Sequence, residues 1–178
     1  LSAEKAAPKA SVWFGGPADG FIQAKEMGLL QAYNPDTAKL IPDKYKDKDG
    51  YWYGIYIGYL GFASNKALLA EKGINAPKSW QDLLDPKLKG QVVMADPGSS
   101  GTAYTMLASI IQEMGETKGL EYMKQLNGQI KTYTKSGTAP GRMAGQGECT
   151  VGITFLHDAI KYRQEGMKDI ILTAPVEG

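Results

Sequence analysis

Three stretches of small polar residues each follow a short apolar run and lead into a helical pattern. Their candidate ligand-binding residues are Ser99, Ser100, Gly101 and Thr102 in the first, Ser136, Gly137 and Thr138 in the second, and His157 and Asp158 in the third. The first amides of a helix have no acceptor within the helix and carry partial positive charge. If the apolar runs are parallel strands, the three helix starts share the edge where open α/β sheets bind ligands. The pattern therefore predicts a site for a phosphate or a carboxylate.

The first two stretches each have a simpler structural interpretation. Ser100 or Thr102 could serve only as the N-cap of the helix that follows. One cap needs one such residue, however, and the first stretch supplies three hydroxyls and two glycines. It is not a nucleotide P-loop, because no Gly-Lys-Ser/Thr follows. In the second stretch Arg142 could pair with an anion, but a solvated surface position is the simpler interpretation, so the hydroxyls are the better candidates.

His157 is the only histidine, so it cannot form a multi-histidine metal site. Next to Asp158, at the end of an apolar strand, it could donate to an anion or to a hydroxyl group. Asp158 could accept hydrogen bonds from ligand hydroxyls or cap its own helix. The pair therefore predicts a polar contact to a ligand, with a structural role as the alternative.

Two further segments are weaker candidates. Gly15 and Gly16 remove side-chain bulk and would let the backbone approach a ligand, but an ordinary turn explains them equally well. The aromatic run 51–62 has glycines at alternate places, which suggests a bend or a crossing between lobes. Packing is the simpler role for its phenols, with Tyr56 and Tyr59 as the best exceptions.

Composition excludes several classes of protein. The 178 residues are 43% hydrophobic and 22% charged, with a formal net charge of +1, which argues against a nucleic-acid footprint. No apolar stretch approaches the ~20 residues of a membrane helix. Cys149 is the only cysteine, so an intrachain disulfide is impossible. No signal peptide is present, which predicts the cytoplasm for a complete gene product, but a mature chain would also lack one.

Apolar periodicity predicts an α/β layer fold. Predicted strands are 11–14, 91–95, 129–134, 150–155 and 169–173. Predicted helices are one from Pro17 to about Gly28 and others at 66–72, 79–84, 102–114, 117–127, 138–145 and 158–165. Strands such as 92–94 are continuously apolar, as parallel strands covered on both faces should be.

The order of these segments resembles the extracytoplasmic solute-binding proteins of ABC transporters, in the group that includes ferric-iron binders. The matching stretches are 10–30, 53–56, 61–65, 77–90, 96–102 and 147–155, of which Ser-Trp-Gln-Asp-Leu (79–83) and the 96–102 loop are the most specific. The resemblance implies two α/β lobes of the periplasmic-binding-protein type with a mostly parallel sheet. It also implies that crossing strands join the lobes and that a ligand is trapped between them.

The chain departs from the iron binders of this group at two places. They usually carry adjacent tyrosines where this chain has Leu156-His157-Asp158, and many carry an acidic ligand near the turn at Gly15. The His-Asp form resembles the branch that binds sugar phosphates or other organophosphates, where Asp and His read polar groups and Ser/Thr loops hold the phosphate. By the same resemblance, Glu177 is a further candidate contact.

Family members also begin before the stretch that matches Leu1 and continue beyond Gly178. The chain is therefore expected to be a fragment, with residues 1–57 as a partial first lobe and residues 58–178 as a nearly complete second lobe. A partner fragment, a swapped dimer or a further segment would supply the missing walls.

The sequence thus predicts a non-enzymatic solute-binding component of an ABC importer, without cofactor or metal, that captures a small phosphorylated anion. Its expected location is the periplasm, and its expected partner is a membrane permease. Ferric-iron binding is the alternative within the same group. The alternatives from other classes are an enzyme that uses His157 as a base on a phosphorylated substrate, and the ligand-sensing domain of a transcriptional regulator.

Overall fold

The computed structural model describes residues 1–177, and these form two compact units. The first unit is Leu1–Ile57, and the second begins at Gly58. Among the described residues, none of the helices combines the length and hydropathy that a membrane span requires.

The first unit contains one α-helix, α1 (Ala18–Glu26), and three short 3-10 helices at Ser2–Glu4, Asp36–Leu40 and Asp43–Tyr45. Lys25 of α1 holds the 47–51 turn, because its ammonium lies 2.7 Å from both Asp47 Oδ1 and Asp49 Oδ2. Burial raises the pKa of Asp47, but hydrogen bonds from Lys25 and from the amides of Tyr51 and Asp49 outweigh burial and lower the pKa overall.

The predicted strand at 11–14 is wrong. Val12 and Phe14 are each 80% exposed, and no strand pairs with this segment in the part of the chain that the structure describes. A strand requires a partner for its backbone groups, and the β-branched and aromatic composition alone does not supply one. Trp13 instead stacks on Phe21 of α1, with ring centroids 4.2 Å apart.

In its described residues, the second unit contains five strands and five α-helices, which alternate except that α3 and α4 are consecutive. The strands are β1 (Leu60–Asn65), β2 (Val92–Ala95), β3 (Ile130–Thr134), β4 (Val151–Phe155) and β5 (Ile170–Thr173). The helices are α2 (Lys66–Lys72), α3 (Gly101–Met114), α4 (Glu116–Asn127), α5 (Ala139–Gly145) and α6 (Leu156–Gln164). The predicted helix at 79–84 is two 3-10 turns instead, Gln81–Leu84 and Pro86–Leu88, because Pro86 stops an α-helix from continuing.

The strands form one sheet in the order β3-β2-β4-β1-β5. β2 pairs in parallel with both β3 and β4, whereas β1 is antiparallel to β4 and to β5. Four strands therefore run in one direction and only β1 opposes them, so the predicted mostly parallel α/β sheet is confirmed. The carboxyl ends of four strands and the amino end of β1 lie at the same edge.

Helices cover both faces of this sheet. On one face the core joins Phe62, Met94 and Ile153 to α3 and α4, and Trp80 meets Phe62 edge-on with ring centroids 5.1 Å apart. On the other face Ala63, Val93 and Ile170 pack with residues of α5 and α6. This double covering explains the continuously apolar strands and leaves the sheet edges as the places for polar chemistry.

Candidate functional site

The three predicted loops lie side by side at the carboxyl edge of the sheet. Ala95 at the end of β2 is level with Thr134 at the end of β3, and Val92 is level with Val151 of β4. The ladder continues one residue further, because the Asp96 amide donates to the Thr134 carbonyl at 2.9 Å. The parallel arrangement predicted from the sequence therefore brings the loops together.

The first loop, 96–102, is shaped by Asp96 and is called here the first hydroxyl loop. The Asp96 carboxylate accepts a hydrogen bond from the Gly98 amide at 2.7 Å. The backbone carbonyl of Asp96 accepts the amides of Ser99 and Ser100 at 3.1 and 2.9 Å. Together with burial, the Asp96 charge also raises the pKa of Tyr133. These amides are consequently used within the loop and are not offered to a ligand.

The start of α3 supplies the donors that remain. Ser100 is only 8% exposed, and its hydroxyl caps the helix by accepting the Ala103 amide at 3.5 Å. The next two amides, of Gly101 and Thr102, are the first of the helix and have no acceptor within it. Ser100 therefore caps α3, whereas the backbone amides of Gly101 and Thr102 have no acceptor within the helix and could donate to an anion.

The second loop, 134–138, is called here the second hydroxyl loop, and its backbone carbonyls accept hydrogen bonds from side-chain hydroxyls. Three consecutive carbonyls each accept a hydroxyl from a different element: Ser136 from Thr134 of β3 at 2.8 Å, Gly137 from Thr154 of β4 at 2.8 Å, and Thr138 from Tyr162 of α6 at 3.2 Å. The described backbone has no cis peptide bonds, and in a trans peptide the amide points away from the carbonyl. The Gly137 amide shares its peptide with the Ser136 carbonyl and therefore points away from Thr134 Oγ1. The Thr138 amide shares its peptide with the Gly137 carbonyl and donates to Ser136 Oγ at 3.4 Å.

The side chains of this loop form a second group of donors. The hydroxyls of Ser136 and Thr138 are 3.0 Å apart and share a hydrogen bond in which either can donate. Both side chains are accessible on the outer side of the loop. A hydroxyl can donate to an anionic oxygen after a simple rotation.

The two hydroxyl loops are in direct contact. A Cβ atom added to Gly137 would collide with the Thr102 side chain and would lie 2.9 Å from Ser100 Oγ. Glycine is therefore required here by space rather than by its backbone angles. This close approach gathers the donors of both loops into one small area.

His157 and Asp158 lie in the first turn of α6, which begins at Leu156, two residues earlier than predicted. The His157 ring stacks on Phe155 with centroids 5.4 Å apart and an angle of 15° between the planes. Gly58 packs closely against both rings, since a Cβ there would lie 2.9 Å from Phe155 Cδ1 and 3.0 Å from His157 Cε1. The imidazole is thereby packed between Phe155 and Gly58, with its side chain 44% exposed.

Asp158 does not cap α6; the N-cap is Phe155, and no side chain makes a capping hydrogen bond. Its carboxylate is 19% exposed and lies 3.8 Å from His157 Nε2, outside hydrogen-bond distance. Burial raises the pKa of Asp158 above its usual value, although the nearby His157 and Lys161 charges act in the opposite direction. A partly desolvated carboxylate of this kind gains from a hydrogen-bond donor supplied by a ligand.

Glu177 and the candidates of the first unit do not belong to these three loops. Glu177 follows β5, its Oε2 is buried without a hydrogen-bond partner, and its charge adds to burial in raising the pKa of Tyr122. Gly15 and Gly16 have φ angles of 93° and 101°, which favour glycine, and Tyr56 is 60% exposed. Arg142 is exposed on α5, as its structural interpretation predicts.

Three residues of this edge were missed by the sequence reasoning: Thr154, Phe155 and Gly58. A signal for Thr154 exists, because a hydroxyl in an otherwise apolar buried strand needs a hydrogen-bond partner. Phe155 and Gly58 carry no comparable signal, since their importance lies in a contact across 97 residues of chain.

A protein metal site requires several carboxylate, imidazole or thiolate ligands close together. Within residues 1–177, no group of three or more His, Cys, Asp or Glu side chains is placed to hold a metal ion. The edge offers hydroxyls, amides, one imidazole and two carboxylates, those of Asp96 and Asp158, of which the Asp96 carboxylate is bound by the Gly98 amide. The hydroxyls and amides suit a polar anion.

The sequence matches the model of the family described as bacterial extracellular solute-binding protein over residues 18–178. The chain belongs to this family, which confirms the class and the extracytoplasmic location expected from the sequence. A periplasmic protein of Salmonella typhimurium, named as a candidate binder of 2-aminoethylphosphonate, is 33% identical over 71% of this chain and 35% of its own length.

Solved structures agree with this assignment. The periplasmic binding protein AfuA from Actinobacillus pleuropneumoniae, with fructose 6-phosphate bound, is 46% identical with a TM-score of 0.94, over 99% of this chain and 57% of AfuA. The periplasmic binding protein P5PA is 37% identical with a TM-score of 0.91, over 98% of this chain and 56% of P5PA. Iron-bound HitA from Pseudomonas aeruginosa, at 22% identity and a TM-score of 0.81 over 97% of this chain and 55% of HitA, shares the fold alone. The chain therefore spans about half the length of the structures it matches.

Proposed function

We propose that this chain forms part of the solute-binding component of an ABC importer, and that its ligand is a small phosphorylated organic anion. A sugar phosphate or a phosphonate fits the donor set. The observation that carries the proposal is the contact between Gly137 and Thr102, which joins two hydroxyl loops next to His157 and Asp158.

The chemistry of the edge divides the ligand into two parts. The phosphoryl group is held by the amides of Gly101 and Thr102, by the Gly137 amide, and by the hydroxyls of Ser136 and Thr138. His157 and Asp158 lie at the end of the neighbouring strand and read the hydroxyl or amino groups of the organic part. The raised pKa of Asp158 favours this role, because a donor from the ligand restores the hydrogen bonding lost on burial.

The similarity to AfuA, which binds fructose 6-phosphate, and to the Salmonella protein named for a phosphonate supports the same ligand class. Binding by the whole protein also involves Gly15, Gly16, Tyr56 and Glu177 as proposed contacts. In an importer, the loaded protein delivers its ligand to a membrane permease in the periplasm and performs no reaction on it.

Calorimetric titration of the purified protein tests this proposal. Fructose 6-phosphate and 2-aminoethylphosphonate are the phosphorylated probes, fructose is the matched probe without phosphate, and ferric citrate tests the iron alternative. We expect binding of at least one phosphorylated probe and none of fructose. Binding of iron with no response to any phosphorylated probe would overturn the proposal.

The enzyme alternative is tested in the same samples. Release of inorganic phosphate, or conversion of fructose 6-phosphate followed by NMR, should stay at the level of the buffer over hours. Turnover that disappears in His157→Ala would assign His157 a catalytic role and contradict the proposed function.

A further inference from the structure

We infer that Thr154 is a positioning residue for the phosphoryl group, and that it acts by holding the second hydroxyl loop against the first. This inference rests on the proposed function, because it assigns a role within the same site. Thr154 itself reaches no ligand: it lies in β4 and is completely buried.

The hydroxyl and the methyl group of the Thr154 side chain each contact another element. Its hydroxyl donates to the Gly137 carbonyl at 2.8 Å. Its methyl group packs against α5, where a Cβ added to Gly141 would lie 3.0 Å from Thr154 Cγ2. The side chain therefore fixes the loop relative to the central strand β4 and to the helix that follows the loop.

Gly137 connects Thr154 to the first hydroxyl loop, because it contacts both. Its carbonyl is bound by Thr154, and its α-carbon side contacts Thr102 and Ser100. If the carbonyl were released, the peptide could rotate, and the contact between Gly137 and Thr102 would be altered. A phosphoryl group bound between the loops requires one fixed separation of donors, so loss of the Thr154 hydroxyl should weaken it.

The carbonyl also decides which groups face the ligand. A carbonyl oxygen carries partial negative charge and repels a phosphoryl oxygen, whereas an amide or a hydroxyl attracts it. Thr154 binds the middle one of these three carbonyls and is the only one of the three donors that is fully buried. Its hydroxyl is therefore the donor least able to be replaced by water.

The test compares Thr154→Val with Thr154→Ser and with a matched control, Thr150→Val. Valine keeps the shape of threonine and removes the hydroxyl, while serine keeps the hydroxyl. Thr150 is equally buried, but its hydroxyl bonds Gln91 Oε1 at 3.1 Å, just before β4 begins at the opposite end of the strand. Thr150→Val therefore reproduces the chemical change without touching either loop.

Two measurements are made on each variant. In hydrogen exchange of the ligand-free protein, we expect faster exchange across 134–138 in Thr154→Val, and native rates there in Thr154→Ser and Thr150→Val. In calorimetry with fructose 6-phosphate, we expect the affinity of Thr154→Val to fall about tenfold, with Thr154→Ser close to wild type.

The outcomes separate this inference from the function on which it rests. Equal affinity of Thr154→Val and wild type, or equal loss in Thr150→Val, would overturn the positioning role while leaving the function intact. If wild type binds no phosphorylated probe, the function fails and the positioning role fails with it. If exchange at 134–138 is unchanged in Thr154→Val, the hydrogen bond does not hold the loop and the inference is wrong.

Discussion

Gly137 touches Thr102, and this contact leaves no room for a side chain on the glycine. The two residues are 35 positions apart, and each belongs to a different strand-to-helix connection. Their contact turns two separate loops into one donor surface. Much of what the site is expected to do depends on it.

Gly137→Ala should therefore separate the two loops. The added methyl group collides with Thr102, and overpacking of this kind lowers the free energy of unfolding by roughly 1–3 kcal/mol. We expect a lower melting temperature and at least tenfold weaker binding of fructose 6-phosphate, measured by calorimetry. Gly128→Ala is the control, because at φ −68° it meets one tight neighbour only, the Gln125 carbonyl at 3.2 Å. Native affinity in Gly137→Ala would show that the loops do not act together.

Gly58→Ala should affect binding through His157. A Cβ at this position would push on both Phe155 and His157, which are 2.9 and 3.0 Å away. Side chains can rotate aside, so we expect a small loss of stability but a several-fold loss of affinity. In a double-mutant cycle with His157→Ala, the effect of Gly58→Ala on affinity should shrink, because the ring that it displaces is gone. Strictly additive losses of affinity would show that Gly58→Ala does not act through His157.

Asp158 should contribute to affinity and reduce stability at neutral pH. Asp158→Ala removes an acceptor of ligand hydroxyls, and we expect binding to weaken by roughly 1–3 kcal/mol. Unchanged affinity in a folded variant would show that the carboxylate makes no contact with the ligand.

The pH dependence of stability provides a separate test of Asp158. Its pKa in the folded protein is raised from 3.8, so between the two values the folded state binds more protons than the unfolded state. Stability contributed by this group is therefore present at low pH and is lost as pH rises through that window. Asp158→Asn should raise the melting temperature at pH 7, and the gain should vanish below pH 3.8. A lower melting temperature at pH 7 would contradict this sign.

Tyr122→Phe should destabilise the second unit. The buried phenol donates to the Trp80 carbonyl at 2.6 Å, and its removal leaves that carbonyl without this donor. We expect a loss of about 1–3 kcal/mol in urea unfolding. Tyr133→Phe is the matched control, because its phenol is 41% exposed and bonds Asn127 Oδ1, so water can replace the bond. Equal losses in both variants would exclude burial as the cause.

The sequence predicted four of the five strands of the second unit and the loops that follow them, but not β1 (Leu60–Asn65), since only its first three residues fall within the aromatic run 51–62, which was interpreted as a bend or a crossing. Continuous apolar strands such as Val92–Ala95 and the helical period of Gly101–Met114 are local signals, so their boundaries agree with the structure to within one or two residues. The same local signal failed at 11–14, where a strand-like composition has no pairing partner in the described structure. Pairing depends on distant segments, and composition does not report it.

The placement of the candidate residues was predictable at the level of loops but not of contacts. The small polar residues that follow β2 and β3, and His157 after β4, lie at one edge of the sheet, as the parallel strands predict. The sequence left open whether Ser100 or Thr102 caps α3. It did not reveal that the Thr154 hydroxyl bonds the Gly137 carbonyl, or that Gly58 packs against Phe155 and His157. Those roles depend on which residues meet across the sheet, and the strand order sets that.

The shared hydrogen bond between Ser136 and Thr138 has a consequence for the protonation state of a ligand. A phosphate monoester titrates near pH ~6 and exists as monoanion and dianion around neutrality. An amide can only donate and would leave the P–OH hydrogen of the monoanion without an acceptor, whereas a hydroxyl can turn and accept it. Because either hydroxyl of this pair can take the donor role, the second hydroxyl loop can serve both forms by rotation alone. The second hydroxyl loop would then bind a phosphorylated ligand on both sides of pH ~6.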